Sequence, residues 1–244
     1  MTRTVLLLHG FTHTGASWGP VVAALGERYR ALTPDIRGHG SAADAHPVTL
    51  EAVRADLEEL VPERFTLVGY SMGGRLALHV AVALGGRVER VVLIGASPGI
   101  ADPVQRGARR RSDEQLAAEI ERSTMEEFAG RWAQTPMLAG LPDPVLARVH
   151  ADRLRSTPSG LANALRGLGT GALPSLWGRL DELTMPVTLM VGERDQKFRE
   201  IADQMSSLLA DVEVVAVAGA GHAVHLEVPQ RVSTIIASGD KPTA

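Results

Sequence analysis

Short apolar runs alternate along this chain with longer stretches in which apolar residues return every three or four positions. Val5-Leu6-Leu7-Leu8, Phe65-Thr66-Leu67-Val68, the run from Met185 to Val191 and that from Val212 to Val217 read as short strands. Leu76, Ala77, Val80, Ala81 and Leu84 share one helical face, and Gly85-Gly86 ends that helix. Strand and helix signals alternate from Val5 to Ser97, lapse, and resume from Val187 to a C-terminal helix around Gln230 to Ala237. This alternation predicts an α/β fold with a mostly parallel central sheet and helices on both faces.

Where the alternation lapses, the pattern is only helical. It predicts an inserted helical cap over residues 99–180, resting on a core made of 1–98 and 181–244. Ser112 with Gln115 reads as a capping box ahead of Leu116 and Ile120, and Met125, Phe128, Ala129 and Trp132 form a second apolar stripe. Pro136, Pro142, Pro144, Pro158 and Pro174 divide the segment into short helices, and the last few residues of the chain read as disordered.

Candidate chemistry sits at the predicted strand ends. Gly69-Tyr70-Ser71-Met72-Gly73 is a G-x-S-x-G turn between a strand and a helix, the context in which a serine hydroxyl is held clear of its backbone for a histidine to reach. Gly192-Glu193-Arg194-Asp195 follows the strand that ends at Val191, and Gly219-Ala220-Gly221-His222 follows the one that ends at Val217. Asp195 alone could be a helix cap and His222 alone a loop residue. Serine, acid and histidine in that chain order make Ser71, Asp195 and His222 a candidate triad. Two backbone N–H donors are needed for an oxyanion, and Met72, after the serine, with Phe11, in the early His9-Gly10-Phe11 loop, are assigned to that role. His9 and His39 are read as structural, and Asp35 with Arg37 as tying loops together.

Composition narrows the partners. A length of 244 residues suits one α/β domain with an insertion, and the absence of cysteine excludes disulfides, a thiolate nucleophile and thiolate metal ligands. The eight histidines form no helical metal-binding pair, so no metal is expected. A formal charge of −3 offers no overall field for nucleic acid or an anionic membrane. No apolar run approaches the ~20 residues of a membrane-spanning helix and no signal-peptide pattern opens the chain, so the expectation is a cytoplasmic protein, a monomer or small homo-oligomer. The charge is uneven: segment 99–180 holds eleven arginines, no lysine and nine acidic residues, a net +2 against −5 elsewhere. Most of those arginines read as solvated, but Arg75 lies one helical turn after Ser71, so its side chain can point back towards the turn, a cation unusual for a site that handles neutral esters. A small anionic substrate is expected.

Taken together, these segments resemble one branch of the α/β-hydrolase superfamily, the 2-succinyl-6-hydroxy-2,4-cyclohexadiene-1-carboxylate synthases, lyases of menaquinone biosynthesis. The resemblance covers nearly the whole chain. His9-Gly10-Phe11, Gly69 to Arg75 and Gly192 to Asp195 identify the superfamily. Ala108 to Asp113, Arg131-Trp132 with Pro136, and Arg155-Ser156 before Gly160 point to the branch. One departure is Gly38-His39-Gly40-Ser41, a residue short of the usual spacing. The resemblance implies the α/β-hydrolase fold, Ser71, Asp195 and His222 as triad, and Arg75, Arg109 and Arg155 on substrate carboxylates. Tyr70 and Trp132 would line the pocket, with no cofactor. It also implies elimination of pyruvate from a cyclohexene polycarboxylate rather than hydrolysis. The same triad would serve a serine hydrolase, an esterase or carbon–carbon bond hydrolase, acting on a small anionic substrate. A non-enzymatic binding protein of this fold usually lacks a triad member, and here all three are present.

Overall fold

The computed structural model of the chain describes residues 2–135 and 141–238. Pro136 and the C-terminal residues expected to be disordered lie outside them. Within the described residues one sheet holds β1 (Arg3–Leu8), β2 (Tyr29–Leu32), β3 (Phe65–Tyr70), β4 (Val88–Ile94), β5 (Val187–Gly192) and β6 (Val212–Val217). Their order is β2-β1-β3-β4-β5-β6, and every neighbouring pair is parallel.

A parallel sheet must be crossed by a connection over one face after each strand, which leaves both faces covered. The two-residue period of β1 shows the result: Leu6 and Leu8 join the core on one face and Val5 and Leu7 the core on the other. Helices α1 (Gly19–Leu25) and α9 (Pro229–Ser238) pack on the second face. α2 (Leu50–Leu60), α3 (Met72–Leu84) and α8 (Gln196–Ser206) pack on the first. Burial on both sides explains why the strands read as continuous apolar runs. Helix α3 is buried all round from Met72 to Ala81 rather than on the single face that its spacing predicted. Leu173, Leu176 and Leu180, from the chain before β5, join the same core as α3.

Between β4 and β5 the described residues are helical: α4 (Pro103–Glu121), α5 (Met125–Ala133), α6 (Asp143–Arg153) and α7 (Pro158–Leu168). Ala117, Ile120, Phe128, Leu161 and Leu165 form a small core of their own there. The expected helix start at Ser112 is wrong. Ser112 lies mid-helix, and α4 begins ten residues earlier, where Asp102 accepts from the Gln105 N–H at 2.7 Å ahead of Pro103. An Asp cap followed by proline at the first helical position is a complete start signal, and nothing after it breaks the helix before Ser112. The capping box of this segment is Thr124 with Glu127.

Sheet order places the site. Connections lead outward in opposite directions from the β1/β3 pair, so the loops after these strands diverge and leave a crevice at their C-terminal ends. Ser71 follows β3 and the Phe11 loop follows β1. No described helix is long and apolar enough to cross a membrane.

Candidate active site

Ser71 occupies the turn from β3 into α3 with φ +52°, a conformation that non-glycine residues rarely adopt. Tight packing explains the flanking glycines. A Cβ on Gly73 would stand 2.2 Å from the Leu8 carbonyl oxygen and 2.5 Å from that of His9, and one on Gly69 would stand 2.5 Å from the Gly73 carbonyl oxygen. Strand β3, helix α3 and the end of β1 meet only because those side chains are missing. Gly73→Ala is therefore expected to destabilise the fold by about 1–3 kcal/mol or more, as overpacking against backbone does. A melting temperature within a degree of wild type would refute the close approach.

His222 lies on the loop after β6, 3.1 Å from Ser71 Oγ through Nε2 and 2.6 Å from Asp195 Oδ2 through Nδ1. Asp195, after β5, also caps α8, its other oxygen accepting from the Phe198 N–H at 3.4 Å. The cap and the histidine partner are thus one residue. The Phe198 ring lies 4.5 Å from the His222 ring, and Tyr70 flanks it at 5.2 Å. Glu227 steadies the loop, accepting from the Gly221 N–H at 2.9 Å while it pairs with Arg194. Burial, with the Asp195 carboxylate adding to it, pushes the Tyr70 phenol up, so Tyr70 stays neutral beside the histidine.

Ser71 opens into a cavity of about 520 Å³ lined by Phe11, Tyr70, Met72, Arg75, Arg109 and Trp132. Arg75 is buried, its Nε has no hydrogen-bond partner among the described residues, and burial together with nearby Arg109 lowers its guanidinium to about 10. It is still cationic at neutral pH. Arg109 donates to Asp113 at 2.7 Å, and Asp113 in turn accepts from the Gly171 N–H, which fixes that arginine against the cavity wall. Arg155 is placed elsewhere. It is exposed and lines a second cleft of about 290 Å³ with Arg148, and His13 borders both cavities. Two residues that local patterns did not single out as site residues, His13 and Trp177, also line the main cavity.

His9 does brace the loops. Its Nε2 accepts from the Ile36 N–H at 2.9 Å, so its proton sits on Nδ1, which donates to the Gly10 carbonyl at 3.0 Å. His39 packs edge-on against it at 5.0 Å. Asp35 ties loops as expected, accepting from the Gly15 N–H and from Ser41, and Arg37 does so too, donating to the Pro47 carbonyl at 3.1 Å while it pairs with Asp56. Burial lowers His9 to about 4 and His39 to about 3 from the ordinary 6.5. An unfolded chain binds protons at these residues that the folded one excludes, so stability present above pH 6.5 is lost as pH falls toward 4. The midpoint of urea unfolding is expected to drop across that window. A flat profile from pH 7 to 4.5 would rule out the neutral pair. Among the described residues no group of histidine and carboxylate side chains is arranged to hold a metal ion.

Comparison with known proteins adds sequence relationship to this geometry. Residues 5–235 match the model of the alpha/beta hydrolase family. A Bacillus subtilis (strain 168) relative, provisionally named 2-succinyl-6-hydroxy-2,4-cyclohexadiene-1-carboxylate synthase, is 35% identical over 96% of this chain and 89% of its own. The Escherichia coli protein (strain E24377A) that bears the name outright is 32% identical over 96% of this chain and 92% of its own. The structure of MenH from S. aureus superposes with a TM-score of 0.92 at 28% identity, covering 98% of this chain and 93% of that one.

Proposed function

Because the chain belongs to the alpha/beta hydrolase family, in the branch of the 2-succinyl-6-hydroxy-2,4-cyclohexadiene-1-carboxylate synthases, we propose that it is a carbon–oxygen lyase that eliminates pyruvate from a cyclohexene polycarboxylate. Ser71 is the base. His222 Nε2 takes the Oγ proton, Asp195 stabilises the imidazolium, and the serine oxygen takes a ring C–H proton. The electron pair of that bond forms the new ring double bond as the C–O bond to the pyruvyl group breaks. The leaving group departs as the enolate of pyruvate and recovers a proton from the Ser71–His222 pair. The N–H groups of Phe11 and Met72 receive the negative charge that develops on a substrate oxygen.

The observation that carries this reading is the buried Arg75 cation in the cavity that Ser71 opens into, its Nε without a partner among the described residues, with Arg109 beside it. Two guanidinium groups in one cavity suit a substrate with several carboxylates and have no purpose for a neutral ester. Tyr70 and Trp132 would flank the ring. Arg155 shares in substrate binding only if the substrate extends past His13 toward the second cleft, and Arg155→Ala measured beside Arg75→Ala reads that directly. The residues between β4 and β5 act as a cap that closes the cavity over substrate. Release of pyruvate from the cyclohexene substrate, compared with hydrolysis of short-chain nitrophenyl esters, tests the function. Pyruvate release without a stable acyl adduct on Ser71 is expected. Ester turnover through such an adduct, with no pyruvate, would make the protein a serine hydrolase.

A further inference from the structure

Two consecutive charged residues at the end of α6, Asp152 and Arg153, are buried to 8% and 1% exposure, and both reach the loop that follows β1. Asp152 accepts from the Thr14 N–H at 2.9 Å and from the Thr14 hydroxyl at 2.5 Å, with His13 Nδ1 at 3.5 Å. Arg153 Nε donates to the Thr12 hydroxyl at 3.3 Å, while its Nη2 has no partner among the described residues. Thr12 is itself in a rare conformation, φ +70°, one that a β-branched residue keeps only when its surroundings hold it. Desolvating an acid and a guanidinium is costly, and well-packed apolar residues often dock a helix as well as buried charges do. What apolar residues could not do is grip two positions of one loop by directed hydrogen bonds.

That loop carries Phe11, one residue before Thr12. We propose that Asp152 and Arg153 are positioning residues, a clamp from the inserted segment that holds Thr12 and Thr14 and so sets where the Phe11 N–H points relative to Ser71. The inference rests on the reading above, in which that N–H receives developing charge. It makes the inserted segment part of the charge-stabilising apparatus as well as a cover for the cavity.

A donor misplaced by about 1 Å costs on the order of 100-fold in rate, and the cost falls on kcat because the donor matters most in the transition state. Arg153→Met and Asp152→Asn are expected to lower kcat about ten- to a hundredfold with KM changed less than about threefold, and Arg153→Lys to recover part of the loss. Thr12→Val removes the acceptor from the other side. The Arg153→Met/Thr12→Val double variant should be no slower than the slower single, because both remove one interaction. Amide exchange over residues 10–14 should quicken in each single variant. The clamp is overturned by kcat within twofold of wild type in folded Arg153→Met, by losses that multiply in the double variant, or by a change confined to KM. Should Arg153→Met fail to fold, Thr12→Val with unchanged kcat and unchanged exchange at 10–14 overturns it equally. Ser71→Ala, run in parallel on whichever substrate the wild type turns over, separates the two ideas. Loss there with none at Arg153 sinks the clamp alone, and no loss there sinks the reading of the site.

Discussion

Ser71→Ala and His222→Ala should each lower pyruvate release by at least two to three orders of magnitude while leaving the fold in place. The expectation follows from the continuous path from Ser71 Oγ through His222 to Asp195, with separations of 3.1 and 2.6 Å. Without the hydroxyl the imidazole is left one atom farther from the ring proton, and without the imidazole the hydroxyl is too weak a base to take it. Residues that act as one unit lose their effect together, so the double variant should be no slower than the worse single. Asp195→Asn should fall in between, since it keeps the α8 cap but no longer stabilises a charged imidazole. Ser71→Ala deletes one oxygen, whereas His222→Ala removes a buried imidazole packed against Phe198 and Tyr70, so circular dichroism and melting curves check that both are folded. Turnover near wild type in either folded variant would remove the triad assignment.

Arg75→Met is expected to reduce kcat/KM by about ten- to a hundredfold, the equivalent of the roughly 1.5–3 kcal/mol carried by a hydrogen bond to a charged group. Methionine keeps the stem that packs inside α3, so the measurement reads the loss of the charge rather than a cavity. The substitution also deletes a buried cation whose Nε is unpartnered, so stability should hold or rise while activity falls. That opposition is the signature of a group kept for function. Lysine should restore only part of the activity because it keeps the charge without the planar two-point fork. Burial already lowers the arginine to about 10. An ammonium in the same site starts from a lower ordinary pKa and would be lowered too, so the lysine rescue should fade at a lower assay pH than that at which the arginine enzyme loses its charge. Unchanged kcat/KM for Arg75→Met would remove the main reason for preferring elimination to ester hydrolysis.

The sequence by itself determined the α/β alternation, the turn that holds Ser71 and the chain order of serine, acid and histidine. All of these are local. A strand announces itself by a few consecutive apolar residues, and a G-x-S-x-G turn by glycines at fixed offsets. The structural role of His9 was legible for the same reason, since a histidine at a strand end beside glycine braces the backbone next to it. The start of α4 was misread because a capping pattern at Ser112 looks the same on paper whether or not a stronger cap stands ten residues upstream. Eleven arginines stand in segment 99–180 with nothing in composition to rank them, and the resemblance alone put Arg109 and Arg155 on the same footing. Only the tertiary structure separates the two. Docking of that segment turns Arg109 into the cavity of Ser71 and Arg155 toward another cleft, and buries Arg153 against Thr12. The partners of Asp152 and Arg153 lie 138 and 141 residues away. Hydrogen bonds across such distances follow from how the helices between β4 and β5 settle on the sheet, and no periodicity or motif in the chain encodes that.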